Sequence, residues 1–339
     1  MERYARQTVY HHIGKEGQKK LLHARVTIIG MGALGTVAAN NLCRSGVGFL
    51  RMIDRDYVEL SNLQRQILYD ETDVKASLPK VIAATNHLKA INSDIHFEPV
   101  IADVNSANIG DFIKDVDLVL DATDNLPIRL LINESCIKFH IPWIYCAALG
   151  SEGMTLNILP DSNGPCLRCF IDETKSTEQT CSSYGVLNMT TNIMASLQTS
   201  EALKILLTSD EIRKELLCVD LWENTFQLIP LQKNEHCPVC VEHKYKLLEQ
   251  MPGAYTTSLC GTDSIQVIPA GNRKIDLAIF AERLKKIGTV HLTPYSLTFI
   301  DNRYEIHLFQ DGRSIIKHVL DENQAKSVYT EYIGLAIAN

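Results

Sequence analysis

A five-residue run, Arg25–Ile29, passes directly into Gly30-Met31-Gly32-Ala33-Leu34-Gly35 and then into small residues reaching Ser45. Strand, glycine loop and helix in immediate succession leave few folds open. Glycines there let the chain turn tightly and let backbone N–H groups approach a phosphate at the helix N-terminus. The alternation continues downstream. Residues 49–53, 95–100 and 118–120 read as strands, and residues 35–45, 79–91 and 126–139 as helices. This spacing predicts βαβ units in an α/β, doubly wound, mostly parallel Rossmann-like sheet. Runs at 143–149, 155–159 and 217–221 extend it. Met189, Ile193, Leu197, Leu203, Leu206 and Leu207 predict the apolar face of one long helix.

Asp54 lies 19 residues past Gly35, at the end of the second predicted strand, where an acid accepts from ribose hydroxyls. The loop and this acid alone would favour NAD. Two further cations point elsewhere. Arg65, within Ser61-Asn62-Leu63-Gln64-Arg65-Gln66, and Lys80, just inside a helix, suit the extra charge of a triphosphate. Asp121-Ala122-Thr123-Asp124-Asn125 follows the strand at 118–120, on the edge where open α/β sheets bind ligands. An acid there is a natural magnesium ligand opposite a triphosphate. Asp124 or Asn125 would serve equally well as N-cap of the following helix.

Cys166-Leu167-Arg168-Cys169 and Cys237-Pro238-Val239-Cys240 are two knuckles of one spacing. A two-residue gap lets both thiolates face one tetrahedral ion, and two knuckles close a Cys₄ zinc site without an open position. Cys181 stands between the first knuckle and the long helix, near enough to a helix N-terminus for thiolate activation; most single cysteines have no such role. Cys43, Cys136, Cys146, Cys218 and Cys260 read as buried or incidental, and the eleven histidines show no metal or triad spacing.

Beyond the second knuckle the pattern changes. Residues 243–250 read as a polar helix and 251–257 as a linker, dividing the chain into units 1–250 and 251–339. The second predicts a small α+β module: a strand at 264–268, a helix at 275–287, a hairpin turning at Asp311-Gly312 and a helix at 322–332. No chemical motif stands out in it. A net charge of −7 argues against nucleic-acid or anionic-membrane partners. No apolar run approaches the roughly 18 residues of a membrane span, and the N-terminus lacks an apolar signal core. The expectation is a soluble cytoplasmic protein.

From Arg3-Tyr4-Ala5-Arg6-Gln7 to Cys240, the chain resembles the ThiF/MoeB/HesA family of sulfur-carrier-protein adenylyltransferases, relatives of ubiquitin-activating enzymes. The resemblance rests on Gly30 to Gly35, Asp54-Arg55-Asp56, Ser61 to Gln66, Pro79-Lys80, Asp121 to Asn125, both knuckles, and Cys181 before Gly185-Val186. It implies ATP- and magnesium-dependent adenylation of a small ubiquitin-like carrier ending in Gly-Gly (ThiS-like or MoaD-like), for thiamin-thiazole or molybdopterin synthesis. By it, Gly30, Gly32, Ala33, Gly35, Asp54, Asp56, Ser61, Asn62 and Asn125 belong to the nucleotide site. Arg65 and Lys80 would take the phosphates and Asp124 the magnesium. Arg6 would reach the neighbouring subunit's triphosphate in a homodimer, Cys181 would link to the carrier in some members, and a cysteine desulfurase or other donor would supply sulfur. The tail lacks a rhodanese-like phosphate-sized loop around Cys260 and resembles the extension of some bacterial members. The alternatives are an NAD-dependent oxidoreductase and a non-catalytic, zinc-stapled scaffold for a ubiquitin-like partner.

Overall fold

The computed structural model describes residues 2–171, 184–250, 255–258, 264–269 and 275–334, and the chain divides into two compact units, Met1–Gln250 and Met251–Asn339. In the first unit, Arg25–Ile29 (β1) is buried at its last four positions, as a strand covered on both faces must be. It pairs in parallel with Phe49–Asp54 (β2) on one side and Leu118–Asp121 (β4) on the other. His96–Ile101 (β3) and Trp143–Leu149 (β5) continue the parallel array. Glu152–Ile158 (β6), Leu216–Asp220 (β7) and Thr225–Ile229 (β8) then add antiparallel strands. The order is β3-β2-β1-β4-β5-β6-β7-β8. The chain leaves β1 toward β2 and later returns to its other side as β4, so the ends of β1 and β4 form the switch point where such sheets bind ligands.

Four helices matter for the site: Ala33–Ser45 (α1), Lys80–Ile91 (α2), Leu126–Lys138 (α3) and Asn188–Leu206 (α4). The long helix is present, but its buried face differs from the expected one. Met189 is 57% exposed and Ile193 37% exposed. The residues turned inward include Thr190, Met194, Ala195, Gln198, Glu201 and Ala202. Small side chains let α4 pack closely on α1 and β5, and several of its buried polar groups find partners. Gln198 Nε2 donates to the carbonyls of Asp121 (2.8 Å) and Ile144 (3.0 Å), and Glu201 accepts from Asn157 Nδ2 and the Arg213 N–H.

The second unit is a six-stranded antiparallel sheet, β11-β12-β13-β14-β10-β9, formed by Tyr255–Ser258 (β9), Ser264–Ile268 (β10), Thr289–Leu292 (β11), Ser296–Ile300 (β12), Glu305–Phe309 (β13) and Ser314–Lys317 (β14). Leu277–Leu284 (α5) and Glu322–Tyr332 (α6) share its core with Val267, Phe299, Leu308 and Ile316. Two expectations are corrected. Residues 255–257, read as linker, are strand, because Thr256 and Thr257 pair with Val267 and Gln266. The polar helix at 243–250 shrinks to Lys246–Glu249. β11 and β12 form a further hairpin, in a stretch for which the sequence predicts no strand.

At the edge of the main sheet opposite the switch point, Arg51 is nearly buried between Glu98 (3.0 Å) and Asp115 (2.6 Å), with Arg25 also on Asp115 at 2.8 Å. The hydrogen bond from Arg51 holds the Asp115 carboxyl at about 2. Because the folded value lies below the ordinary carboxylate value, the stabilisation is present above about pH 3.9 and disappears as pH falls toward 2. Asp115 is 44% exposed, so solvent screening limits the effect to about 1 kcal/mol. Denaturant titrations should therefore show wild type ahead of Asp115→Asn at pH 5, with the gap closing between pH 4 and pH 2.5. A gap independent of pH would refute this.

Candidate functional site

The glycine loop is built by close approach. Gly30 has φ +94°, and a Cβ there would stand 2.6 Å from the Ala122 carbonyl oxygen. A Cβ on Gly35 would stand 2.0 Å from the Gly30 carbonyl oxygen, so α1 rests directly on the loop. Gly32 is different. It is the N-cap of α1, no side chain caps the helix, and a Cβ there would meet nothing nearer than Gln66 Nε2 at 3.9 Å. Free N–H groups at the head of a 13-residue helix suit an anion. Ala33 is the first residue of that helix, two positions earlier than the sequence reading placed its start.

Asp54 ends β2 and grips this loop. Its Oδ2 accepts from the Met31 N–H and its Oδ1 from the Asp56 N–H, both at 2.7 Å. Burial pushes the Asp54 carboxyl up, with Lys80 opposing. Lys80 opens α2 with its amine 3.1 Å from Asp56. Burial disfavours the ammonium, but Asp56 and Asp54 outweigh it and hold Lys80 above the ordinary lysine range. The structure thus brings Asp54, Asp56 and Lys80 together against the loop.

Arg65 is partly exposed; Nη1 donates to the Ser61 carbonyl at 3.0 Å, and it makes no ion pair among the described residues. Ser61 is exposed. Asn62 is buried, and its Oδ1 accepts from the Glu59 N–H at 3.2 Å, so in this structure its side chain serves its own turn. The cap question at β4 has an answer. Asn125 Oδ1 accepts from the Ile128 N–H and caps α3, while Asp124 is exposed and bonds to no described residue. Asp124 lies close enough for its charge to raise the proton affinity of Lys80. Arg6 is exposed, without a side-chain partner among the described residues. Cys181 lies outside the described residues.

Three contributors were given no role from sequence. Tyr69 donates its hydroxyl to the Met31 carbonyl at 2.8 Å. Asp121, fully buried, pairs with Arg129 at 3.2 Å and accepts from the Thr123 N–H and hydroxyl, fixing the loop that carries Asp124. Gln66 faces Gly32 as described. Only their place within or just after the recognised runs hinted at them.

Away from the loop, the four knuckle thiols converge. Cys166 and Cys237 sulfurs are 3.6 Å apart, Cys169 and Cys240 3.5 Å, and Cys166 and Cys169 4.0 Å. Tetrahedral Zn–S bonds of ~2.3 Å require sulfurs about 3.8 Å apart, so the cluster fits zinc and is far too wide for disulfides. Asn133 supports it: Nδ2 donates to Cys166 Sγ at 3.6 Å and Oδ1 accepts from the Leu167 N–H at 3.0 Å.

A doubly wound sheet with a glycine loop at a helix N-terminus and four clustered thiols that could hold zinc defines an α/β protein of Rossmann-like type. The ThiF family model matches residues 4–239, and the chain belongs to the ThiF family. It is 39% identical over 335 residues to the sulfur carrier protein ThiS adenylyltransferase of Bacillus subtilis, covering 98% of this chain and 99% of that one. The enzyme of the same name in Escherichia coli is 35% identical, over 70% of this chain and 94% of its own. Among solved structures, E. coli MccB with ATP shares the fold, with a TM-score of 0.61 and 22% identity, over 70% of this chain and 74% of that chain. No helix among the described residues is long and apolar enough to cross a membrane.

Proposed function

We propose that this chain adenylates the C-terminal carboxylate of a small ubiquitin-like sulfur carrier ending in Gly-Gly, consuming ATP and releasing pyrophosphate. The observation that carries this reading is the end-to-end match to a ThiS adenylyltransferase, which includes the second unit. It favours a ThiS-like carrier, and hence thiazole synthesis, over a MoaD-like one. Family membership also favours adenylation over a nicotinamide-dependent reaction.

A carrier carboxylate oxygen attacks the α-phosphorus, the bond to the bridging oxygen breaks, and pyrophosphate leaves. No side chain need act as nucleophile. The residues position the reactants and balance charge. Each Asp54 oxygen accepts one backbone N–H and retains a lone pair for a ribose hydroxyl. The α1 N-terminus, Arg65 and Lys80 take the phosphates. Asp124, unengaged beside them, fits a magnesium ligand, and the ion when bound would offset charge on the phosphates. The four cysteines would hold a structural zinc. Cys181 would be a thiol for sulfur transfer, fed by a desulfurase or other donor, rather than a participant in adenylation. Eight free cysteines among the described residues suit a reducing cytoplasm.

Carrier-dependent exchange of labelled pyrophosphate into ATP tests the reading; its absence with every Gly-Gly carrier tried would refute it. We assign Arg6, exposed and without a side-chain partner among the described residues, to a second subunit's site in a homodimer. Mixing inactive Arg6→Ala with inactive Asp124→Ala chains should then restore up to about a quarter of wild-type exchange, because a randomly mixed population carries one intact site per heterodimer. No recovery after proven subunit exchange would make Arg6 a residue of its own chain's site.

A further inference from the structure

A second group of metal-ligating side chains lies outside the nucleotide site and apart from the four clustered thiols. Asp70, Asp73 and His87 each offer an atom within 4.8 Å of the other two. Two helices bring them together. Asp70 is the N-cap of the short helix Glu71–Lys75 and Asp73 its third residue, so a single turn sets both carboxylates side by side. His87 lies two turns along α2 from Lys80, and its Nε2 is 2.8 Å from Asp73 Oδ2.

Capping accounts for only part of this arrangement. Asp70 Oδ1 accepts from the Thr72 and Asp73 N–H groups at 2.7 and 3.1 Å, and Asp73 Oδ2 accepts from the Asp70 N–H at 3.0 Å. A serine at position 70 would cap the helix about as well. Asp73 is 5% exposed, yet its Oδ1 accepts no hydrogen bond from a described residue. Among the described residues, no Lys or Arg pairs with either carboxylate. Two adjacent carboxylates, one of them desolvated, repel each other, and a single imidazole does not balance both. A cation between the three side chains does.

We propose that Asp70, Asp73 and His87 bind a divalent transition-metal ion of the zinc type. One imidazole nitrogen with two carboxylate oxygens is a donor set that zinc takes, with water completing the shell on the exposed Asp70 side. Magnesium and calcium prefer oxygen donors alone. The ion ties the turn whose Tyr69 hydroxyl holds the Met31 carbonyl to the helix that opens with Lys80. It braces the frame of the nucleotide site and takes no part in the reaction.

The test is equilibrium dialysis of the full-length protein, purified without chelator, against free zinc, together with thermal unfolding. Wild type should hold one zinc per chain more than Asp70→Ser or His87→Gln. Because this count is a difference between proteins, any ion at the four thiols cancels. With zinc a hundredfold above Kd, the wild-type melting temperature should rise by roughly 5 °C, and neither variant should follow. Asp70→Ser retains the helix cap and His87→Gln retains a donor for Asp73, so melting without added zinc shows directly whether each is folded. Should either unfold, Asp73→Asn, which preserves size and shape, supplies the same comparison. Equal zinc uptake by wild type and the folded variants would overturn the proposal and make the three residues a cap with an ion pair. A wild-type melting temperature that does not respond to zinc would overturn it as well.

Discussion

Carrier-dependent pyrophosphate exchange should fall by on the order of 10²-fold or more in Asp124→Asn, with almost no change in stability. The two halves of this expectation have separate origins. Asp124 is exposed, bonds to no described residue, and leaves the capping of α3 to Asn125, so removing its charge should shift folding by less than about 0.5 kcal/mol. Its place at the β4 end of the switch point, within electrostatic reach of Lys80, puts that charge where the phosphates and their magnesium would lie. Lys80→Met provides the contrast. Lys80 is buried 3.1 Å from Asp56 and opposes the burial that pushes the Asp54 carboxyl up, so its loss removes a buried cation from beside both carboxylates. That variant should lose activity and stability together. Normal exchange in folded Asp124→Asn, assayed with the cognate carrier and saturating magnesium, would remove Asp124 from the site.

How much of the fold and the site is legible in the sequence depends on the range of the interaction. Gly30, Gly32 and Gly35 are legible because strand, turn and helix adjoin in sequence, although only Gly35, against the Gly30 carbonyl, answers a local steric demand. The cysteine knuckles were legible because two residues between thiols is itself a geometric statement. The choice between Asp124 and Asn125 as cap was not, since both types cap helices and only the Asn125–Ile128 hydrogen bond decides it. Asp54 was found by its spacing, but its grip on Met31 joins residues 23 apart and has no local mark. The Asp121–Arg129 pair and Tyr69 on Met31 were missed for the same reason. The inward face of α4 failed differently. Apolar periodicity assumes that large aliphatic residues face the core, whereas α4 turns Ala195, Ala202, Gln198 and Glu201 inward because it packs tightly and ties sheet carbonyls and a neighbouring strand. In the second unit, Thr289–Leu292 and Ser296–Ile300 carry no turn signal as plain as Asp311-Gly312, and their pairing across the sheet is what identifies them as strands.

Protein purified without chelator should contain one zinc per chain, and Cys237→Ser should lose both the metal and much of the first unit's stability. Cys166 and Cys237 are buried, and with Leu167 and Val239 they belong to the cluster formed by α3, Trp143 and Ile158. The two knuckles are 71 residues apart in sequence, so the ion would close a long loop as well as satisfy four thiolates. Apparent binding of structural zinc, about 10–16 kcal/mol, is comparable with the whole stability of a domain, about 5–15 kcal/mol. Even a net loss of about 5 kcal/mol would lower the melting temperature by roughly 10–20 °C in a unit of this size. The replaced hydroxyl adds to the loss, because it enters a fully buried position without a charge-matched partner. The glycine loop and Asp54 lie in a separate hydrogen-bonded cluster, so residual ATP affinity in the metal-free protein at low temperature would show which part melts first. Zinc-free protein with the melting temperature of the wild type would show that the four thiols are packing residues rather than ligands.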